Sequence, residues 1–327
     1  MVAILAFDLA LAAWPHLSFG PAALALAPPV VEAIHQDAER VAARNLAPPR
    51  VYRVETVEQS VARFVPAASV PHGQRRGGLT LVPNLAAAFG LAAVPGYDAA
   101  LPTSLTAVWE SQSDAVKLMR LLAVDYVIRP VDDPQAPVST PDGLVPLMDP
   151  APGARLLRVE APLPRVFLAA HAEVVPEQAA LSRLWTPEVL AGHAVLLAPS
   201  ASAQEIAGPL HDTGTCRMTW YTNTRIEAQC AADTPAFAVF VEQYHPGWRA
   251  EVDQRPVPIE RANLIGRAVR LPPGLHRVAM TFTPAGKAAG LAVSGLGVLG
   301  LACCFCFARL RRGRGRRDAD VAHGQRP

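Results

Sequence analysis

Two aromatic residues carry the clearest chemical promise in this chain. Tyr244 and Trp248 flank the sharp break His245-Pro246-Gly247, and aromatic faces suit the apolar faces of sugar rings. A second grouping is Asn84 with Gly96-Tyr97-Asp98, in which Asp98 could accept a sugar hydroxyl or act as a base. Each has a plainer reading. Tryptophan in a strand is usually buried, so Trp248 is preferred as a core residue. Asn and Asp beside Pro and Gly commonly make local turn hydrogen bonds. Arg261-Ala262-Asn263 could meet a phosphate or a lipid headgroup, and an exposed strand end explains it equally well. Asp8 and the pair Asp132-Asp133 are weaker candidates, the pair reading as a solvated loop.

The remaining chemistry-bearing types form no catalytic pattern. The nine histidines are scattered without metal-ligand spacing, and neither a metal nor a cofactor is expected. No glycine loop would cradle a phosphate, no Ser-His-Asp order is persuasive, and no carboxylates pair at helical spacing; no catalytic residue is assigned. Cys303, Cys304 and Cys306 lie in an apolar run, either as small apolar residues or as acylation sites. Cys216 and Cys230 flank a predicted hairpin around Asn223 and could pair in an oxidising compartment. If they are opposite, the same register sets Trp220 against Ile226.

The elements that must position these residues follow from periodicity. Val30–Asn45 reads as an amphipathic helix, and Arg50–Glu55, Gly78–Val82 and Asp125–Arg129 as strands. A helix capped by Thr103 or Ser104 runs to about Ala123. Residues 130–154 are rich in Pro, Asp and Gly and read as a long surface loop. Short strands at 155–159 and 165–169, a helix at 176–184 and a strand at 193–198 complete a small α/β layer domain. From Thr215 seven short strands are predicted, at 215–221, 225–231, 236–242, 248–253, 257–262, 266–271 and 276–282, which suggests an antiparallel β-sandwich. The fold class is thus α+β and membrane-anchored.

Ala288–Ala308 carries no charge and is long enough to cross a bilayer. Arg309, Arg311, Arg312, Arg314, Arg316 and Arg317 follow at once, and such residues remain cytoplasmic. The formal net charge of +2 is therefore misleading: residues 309–327 carry seven Arg against two Asp, and the other 308 residues sum to −3. No body-wide basic face exists for nucleic acid. The expected organisation is a partial transmembrane helix and exit segment at 1–28, an extracytoplasmic α/β domain at 29–205, and an extracytoplasmic β-sandwich at 210–284. A transmembrane helix at 287–308 and a basic cytoplasmic tail at 309–327 follow. A signal peptide cleaved near Ala23-Leu24-Ala25 is the alternative for the start, less favoured because no positive region precedes the apolar run.

The run YHPGWRAEVDQRPVPIERANLIGRAVRLPPGLHRV resembles the C-terminal part of the YfhO-like family of bacterial membrane proteins. The resemblance rests on Pro246-Gly247-Trp248, Asp253, Arg261-Ala262-Asn263 and Pro273-Gly274-Leu275-His276. Upstream, Pro83-Asn84, Gly96-Tyr97-Asp98, Val124-Asp125-Tyr126-Val127 and Leu163-Pro164-Arg165 are similar in the same order, while Gln254 stands where Gly is expected. It implies glycosyl transfer from a lipid-linked sugar to a cell-envelope polymer by the whole protein, with the catalytic part in a multi-span bundle that this chain lacks. The chain is then expected to be the extracytoplasmic C-terminal portion and anchor, in a bacterial cell membrane and not catalytic by itself. The alternative is a stand-alone anchored binding or scaffolding module assembled with a separately encoded bundle. Expected partners are membrane lipid and, through the full-length protein or a partner bundle, a polyprenyl-phosphate sugar or envelope glycopolymer. No nucleic-acid partner is expected.

Overall fold

The computed structural model describes residues 27–41, 46–54, 85–94, 102–112, 114–130, 140–147 and 154–323. Asp8, Asn84, Tyr97, Asp98, Asp132, Asp133 and the expected strand Gly78–Val82 lie outside them. The chain divides into a body ending at Thr281 and a C-terminal segment from Phe282.

The body begins with α1 (Pro29–Val41), whose buried Val30, Val31 and Ile34 recur at helical spacing. It covers one face of a five-stranded sheet ordered β2-β1-β3-β5-β4. These strands are β1 (Arg50–Arg53), β2 (Ala92–Ala93), β3 (Tyr126–Pro130), β4 (Leu144–Pro146) and β5 (Ala154–Val159). β1 is parallel to β2 and β3, whereas β5 is antiparallel to β3 and β4. Alternation sorts the side chains: Tyr126 and Ile128 pack with α1, while Val127 packs with Val108, Leu118 and Leu121 on the other face. Those residues come from α2 (Thr103–Glu110) and α3 (Ala115–Leu121).

Two expectations change here. The single helix from Thr103 is two, because extended Asp114 interrupts it and its carboxylate accepts from Val116 N and Lys117 N, starting a new helix. Thr103 is already helical and Pro102 holds the cap position without a side-chain bond. The segment 130–154 also contains β4, too short at three residues to show a period.

A seven-stranded sheet, β6-β12-β16-β15-β8-β7-β9, draws strands from both sides of residues 205–210, where a domain boundary was expected. Its members are β6 (Val166–Ala169), β7 (His171–Val174), β8 (Ala194–Leu197), β9 (Ile206–Ala207), β12 (Ala236–Phe240), β15 (Glu260–Ala262) and β16 (Gly266–Leu271). Phe237 and Phe240 are almost wholly buried within it. Helices α4 (Glu177–Arg183) and α5 (Pro187–Leu190) connect β7 to β8. The third sheet, β10-β11-β17-β13-β14, comprises β10 (Gly214–Tyr221), β11 (Arg225–Ala232), β13 (Trp248–Val252), β14 (Arg255–Val257) and β17 (Gly274–Phe282). Met218, Ile226, Ala228, Val278 and Met280 from this sheet share one core with Val166, Leu168, Ala238, Phe240 and Val269 from the seven-stranded sheet. The expected strand 257–262 is two pieces belonging to different sheets, β14 and β15.

The β13–β14 turn settles the Gln254 departure. Asp253 and Gln254 both have positive φ, 48° and 68°, the backbone of a two-residue type I′ hairpin that normally favours glycine second. The β10–β11 hairpin holds Cys216 opposite Cys230, and the two form a disulfide with Cα atoms 4.1 Å apart. The register then slips between Met218 and Trp220, so Trp220 faces Glu227 and Tyr221 faces Ile226. The expected Trp220–Ile226 pair is displaced by this bulge at Thr219.

The C-terminal segment is a helix, α6 (Lys287–His323), that continues through the arginine cluster. Its Lys287–Phe305 stretch is long and apolar enough to cross a membrane. Seven large apolar side chains along it, from Leu291 to Phe305, are 57–70% exposed.

Removing the disulfide by Cys216→Ala with Cys230→Ala should destabilise the body by about 3 kcal/mol, as for a loop of this size. Mass spectrometry of protein from an oxidising compartment should find neither thiol free. Two free thiols would reject the bond.

Candidate functional site

The densest polar chemistry of the body is buried, and it centres on Glu242. This residue lies two positions after the end of β12, so an apolar strand ends by placing a carboxylate between the sheets. Glu242 Oε1 accepts from Arg50 Nη2 at 3.1 Å and Arg165 Nε at 2.8 Å, and is also bonded by Arg165 Nη2. Tyr221 donates to Oε2 at 3.3 Å. Arg50 belongs to the five-stranded sheet, Arg165 enters the seven-stranded sheet, and Tyr221 closes β10 of the third. One carboxylate thus joins three sheets.

The arginines have further fixed partners. Arg50 donates through Nη1 to the carbonyls of Leu122, at 2.6 Å, and Val241, at 3.0 Å, and its amide donates to Asp125 Oδ2 at 2.7 Å. Arg165 donates to Pro48 O and to the Tyr221 hydroxyl, and its guanidinium lies over the Tyr221 ring. Arg267, in β16, is only 2% exposed. Its guanidinium stacks on Trp248, 3.9 Å from the ring centre, and its Nε donates to Glu242 O at 3.4 Å. Among the described residues, buried Arg50 Nε and Arg267 Nη1 have no hydrogen-bond partner.

Three arginines and two carboxylates set the electrostatics. Burial pushes the Glu242 carboxyl upward, but Arg50, Arg165 and Arg267 outweigh it and hold the group below the usual range. Burial raises Asp125, although its bond from the Arg50 amide opposes this. Burial brings Arg267 down to about 10, so it stays cationic at neutral pH. An ionised, multiply bonded Glu242 is poorly suited to proton transfer; the arrangement fixes sheets against one another.

Of the residues singled out from the sequence, Trp248 lies against this hub. It is half-buried, and Arg267 occupies one face of its ring, leaving less room for the sugar-stacking reading. Tyr244 is half-buried, with its amide bonded to Ile265 O at 2.7 Å. Asn263 turns its carboxamide inward to accept from Leu196 N, and Arg261 bonds Leu264 O and lies 3.5 Å from Glu177. Asp253 accepts from His276 Nδ1 at 2.7 Å and from Arg277 N at 2.9 Å. These bonds hold its carboxyl below the usual range. The other ring nitrogen of His276 faces Pro272 O, so this pair pins a hairpin. Arg50, Tyr221, Glu242 and Arg267 were missed as a cluster. The only signal was an arginine or glutamate at a position where the strand pattern calls for an apolar residue, as at Arg267 between Ile265 and Val269.

The chain matches no protein-family model, no curated protein and no solved structure. Fold and site define a disulfide-bonded α+β body followed by an apolar helix of membrane-spanning length.

Glu242→Gln keeps the shape of the side chain but removes the central counter-charge of three buried cations, and should cost about 3–5 kcal/mol. The carboxyl is lowered in the folded state, so its contribution is complete above the ordinary value of 4.5 and fades as pH falls through the lower folded value. Urea unfolding at neutral and acidic pH should therefore show the Gln variant losing less stability on acidification than the parent. Equal stability of the two at neutral pH would remove the hub from its central role.

Proposed function

We propose that this chain is the extracytoplasmic C-terminal portion and membrane anchor of a YfhO-like membrane protein that takes part in glycosylating a cell-envelope polymer. In this reading the chain binds and positions, and the transfer itself occurs elsewhere. The observation that carries it is the Lys287–Phe305 stretch with its exposed apolar side chains, followed by six arginines between 309 and 317. Such a surface is stable in hydrocarbon, and the cationic cluster beside it favours the cytoplasmic side. The body then lies outside, where the Cys216–Cys230 bond persists.

The family reading draws support from where its motif residues fall. Trp248 covers Arg267, Asp253 clasps His276, Asn263 ties β15 to β8, and Asp125 and Arg165 meet at the hub. Each of these residues has a fold-specific reason to be where it is. The binding role draws support from Glu242, the hub's carboxylate, being neutralised by arginines and withheld from catalysis.

Topology tests the placement. A reporter fused after Pro327 should behave as cytoplasmic, and one inserted at exposed Ser202 as external. Finding both on one side would sink the arrangement. Replacing the six arginines with neutral residues should weaken the orientation.

The limited role is tested by reconstituting the purified chain in lipid with polyprenyl-phosphate sugars. No turnover above the protein-free background is expected; turnover would place an active site in this chain.

A further inference from the structure

The bulge at Thr219 does something specific to β10. Cys216 and Met218 point into the sandwich, and an unbroken period of two would send Trp220 there as well. The extra residue reverses the parity: Tyr221 turns inward and Trp220 turns out, where it is 52% exposed. Bulges that re-aim a side chain commonly sit beside functional sites. Leaving half a tryptophan in water forfeits much of the largest burial gain any side chain offers.

What surrounds Trp220 is charged. The outward face alternates with the core residues Ile226, Ala228 and Cys230, placing Glu227 directly opposite Trp220 and Gln229 opposite Arg217 one step along. Glu227 is only 8% exposed because two arginines close over it. Arg225 donates to Oε1, with Nε at 2.8 Å, and Arg277 Nη2 donates to Oε2 at 2.7 Å. Arg217 Nη2 donates to Gln229 Oε1 at 2.9 Å. Arg225 and Arg277 side chains remain 54% and 51% exposed, each with donors directed by Glu227. Arg217, Arg225 and Arg277 stand against Glu227 on this part of the face, a local excess of positive charge, with Glu251 further across on β13. Leu46, 69% exposed, lies along the free edge of β10 with its amide donating to Met218 O; across the sheet the next large exposed apolar side chain, Leu275, pairs with Ala231, roughly 13 Å along β11 from Glu227 at about 3.3 Å per residue.

The geometry points to a binding face for an acidic glycan on the outer surface of the third sheet, with one sugar ring stacked on Trp220 and its carboxylate held by Arg217, Arg225 and Arg277. A ligand for this face needs an apolar side to lie on an exposed indole and an anionic group for guanidinium forks. It also needs hydroxyls for the exposed amide of Gln229. A uronate residue in a polysaccharide has all three. A lipid surface would call for a continuous apolar patch, and across the sheet Trp220 is bordered by the charged and amide side chains of Arg217, Glu227 and Gln229. The inference extends the binding role proposed above to a residue set and a ligand class, and its test is independent of membrane topology.

The full chain in phosphatidylcholine nanodiscs is titrated calorimetrically with oligogalacturonate, with a maltooligosaccharide as neutral sugar and polyphosphate as anion without a sugar face. Oligogalacturonate should bind, more weakly as salt is raised. Trp220→Ala and Arg217→Ala should each weaken it at least ~10-fold, the loss typical of a central anchor. Trp220→Tyr should restore most of the Trp220→Ala loss. Because Trp220 and Arg217 are exposed, the melting temperature should not move. No binding of oligogalacturonate, equal binding by the Trp220→Ala chain, or polyphosphate bound as tightly as oligogalacturonate would overturn the assignment. So would quenching of Trp220 fluorescence by brominated lipid, read as the difference between parent and Trp220→Phe, since that places the ring in the bilayer.

Discussion

Burying Glu242 is the constraint on which the rest of this body depends. A carboxylate removed from water is unfavourable unless cations and donors reach it from several directions. Here they come from three sheets: Arg50 from β1, Arg165 at the entrance to β6, and Tyr221 at the end of β10. None of these sequence-distant residues can satisfy the charge alone. The hub therefore rewards only the arrangement in which all three sheets have arrived, and penalises a register slip in any of them. That is a specificity argument rather than a claim that the ion pairs exceed an apolar core in stabilisation.

The bulge in β10 connects the hub to the outer face. Without it Tyr221 would point to solvent and Glu242 would lose the hydroxyl that bonds Oε2. The same inserted residue that carries Tyr221 inward carries Trp220 outward. The disulfide lies four residues before Trp220, where Cys216 still pairs in the unbulged register with Cys230. It pins the hairpin on the side of the slip that would otherwise be free to realign.

Much of this was legible in the sequence, and what was not has identifiable causes. Period-two alternation revealed the strands from Thr215 onward, because a sheet with one buried face writes that pattern directly. It could not reveal that 257–262 changes sheets at Pro258, since both halves alternate alike. Nor could it reveal the bulge at Thr219, which adds a residue without any Gly or Pro to mark it. The boundary expected near 205–210 was drawn from composition, which marks a loop, whereas the pairing of β6 with β12 and of β8 with β15 across it is a long-range choice. The hub escaped for the same reason. Arg50, Glu242 and Arg267 each look like one polar residue in an apolar strand, and only the fold brings them into one charge balance.

Two kinds of exposed apolar surface remain, and they ask for different solvents. On α6 the large side chains from Leu291 to Phe305 are exposed in succession with no charged residue among them. A surface of that kind is satisfied by hydrocarbon, which demands no hydrogen bonds from it. Trp220 is the opposite case: a single ring whose neighbours Arg217, Glu227 and Gln229 are already polar and bonded. Lipid would strip water from those groups and return nothing. A partner with one apolar side and a rim of hydroxyls and negative charge compensates both. The same chain thus presents a face for a bilayer and a face for a polar ligand, each defined by whether charges stand beside the exposed apolar groups.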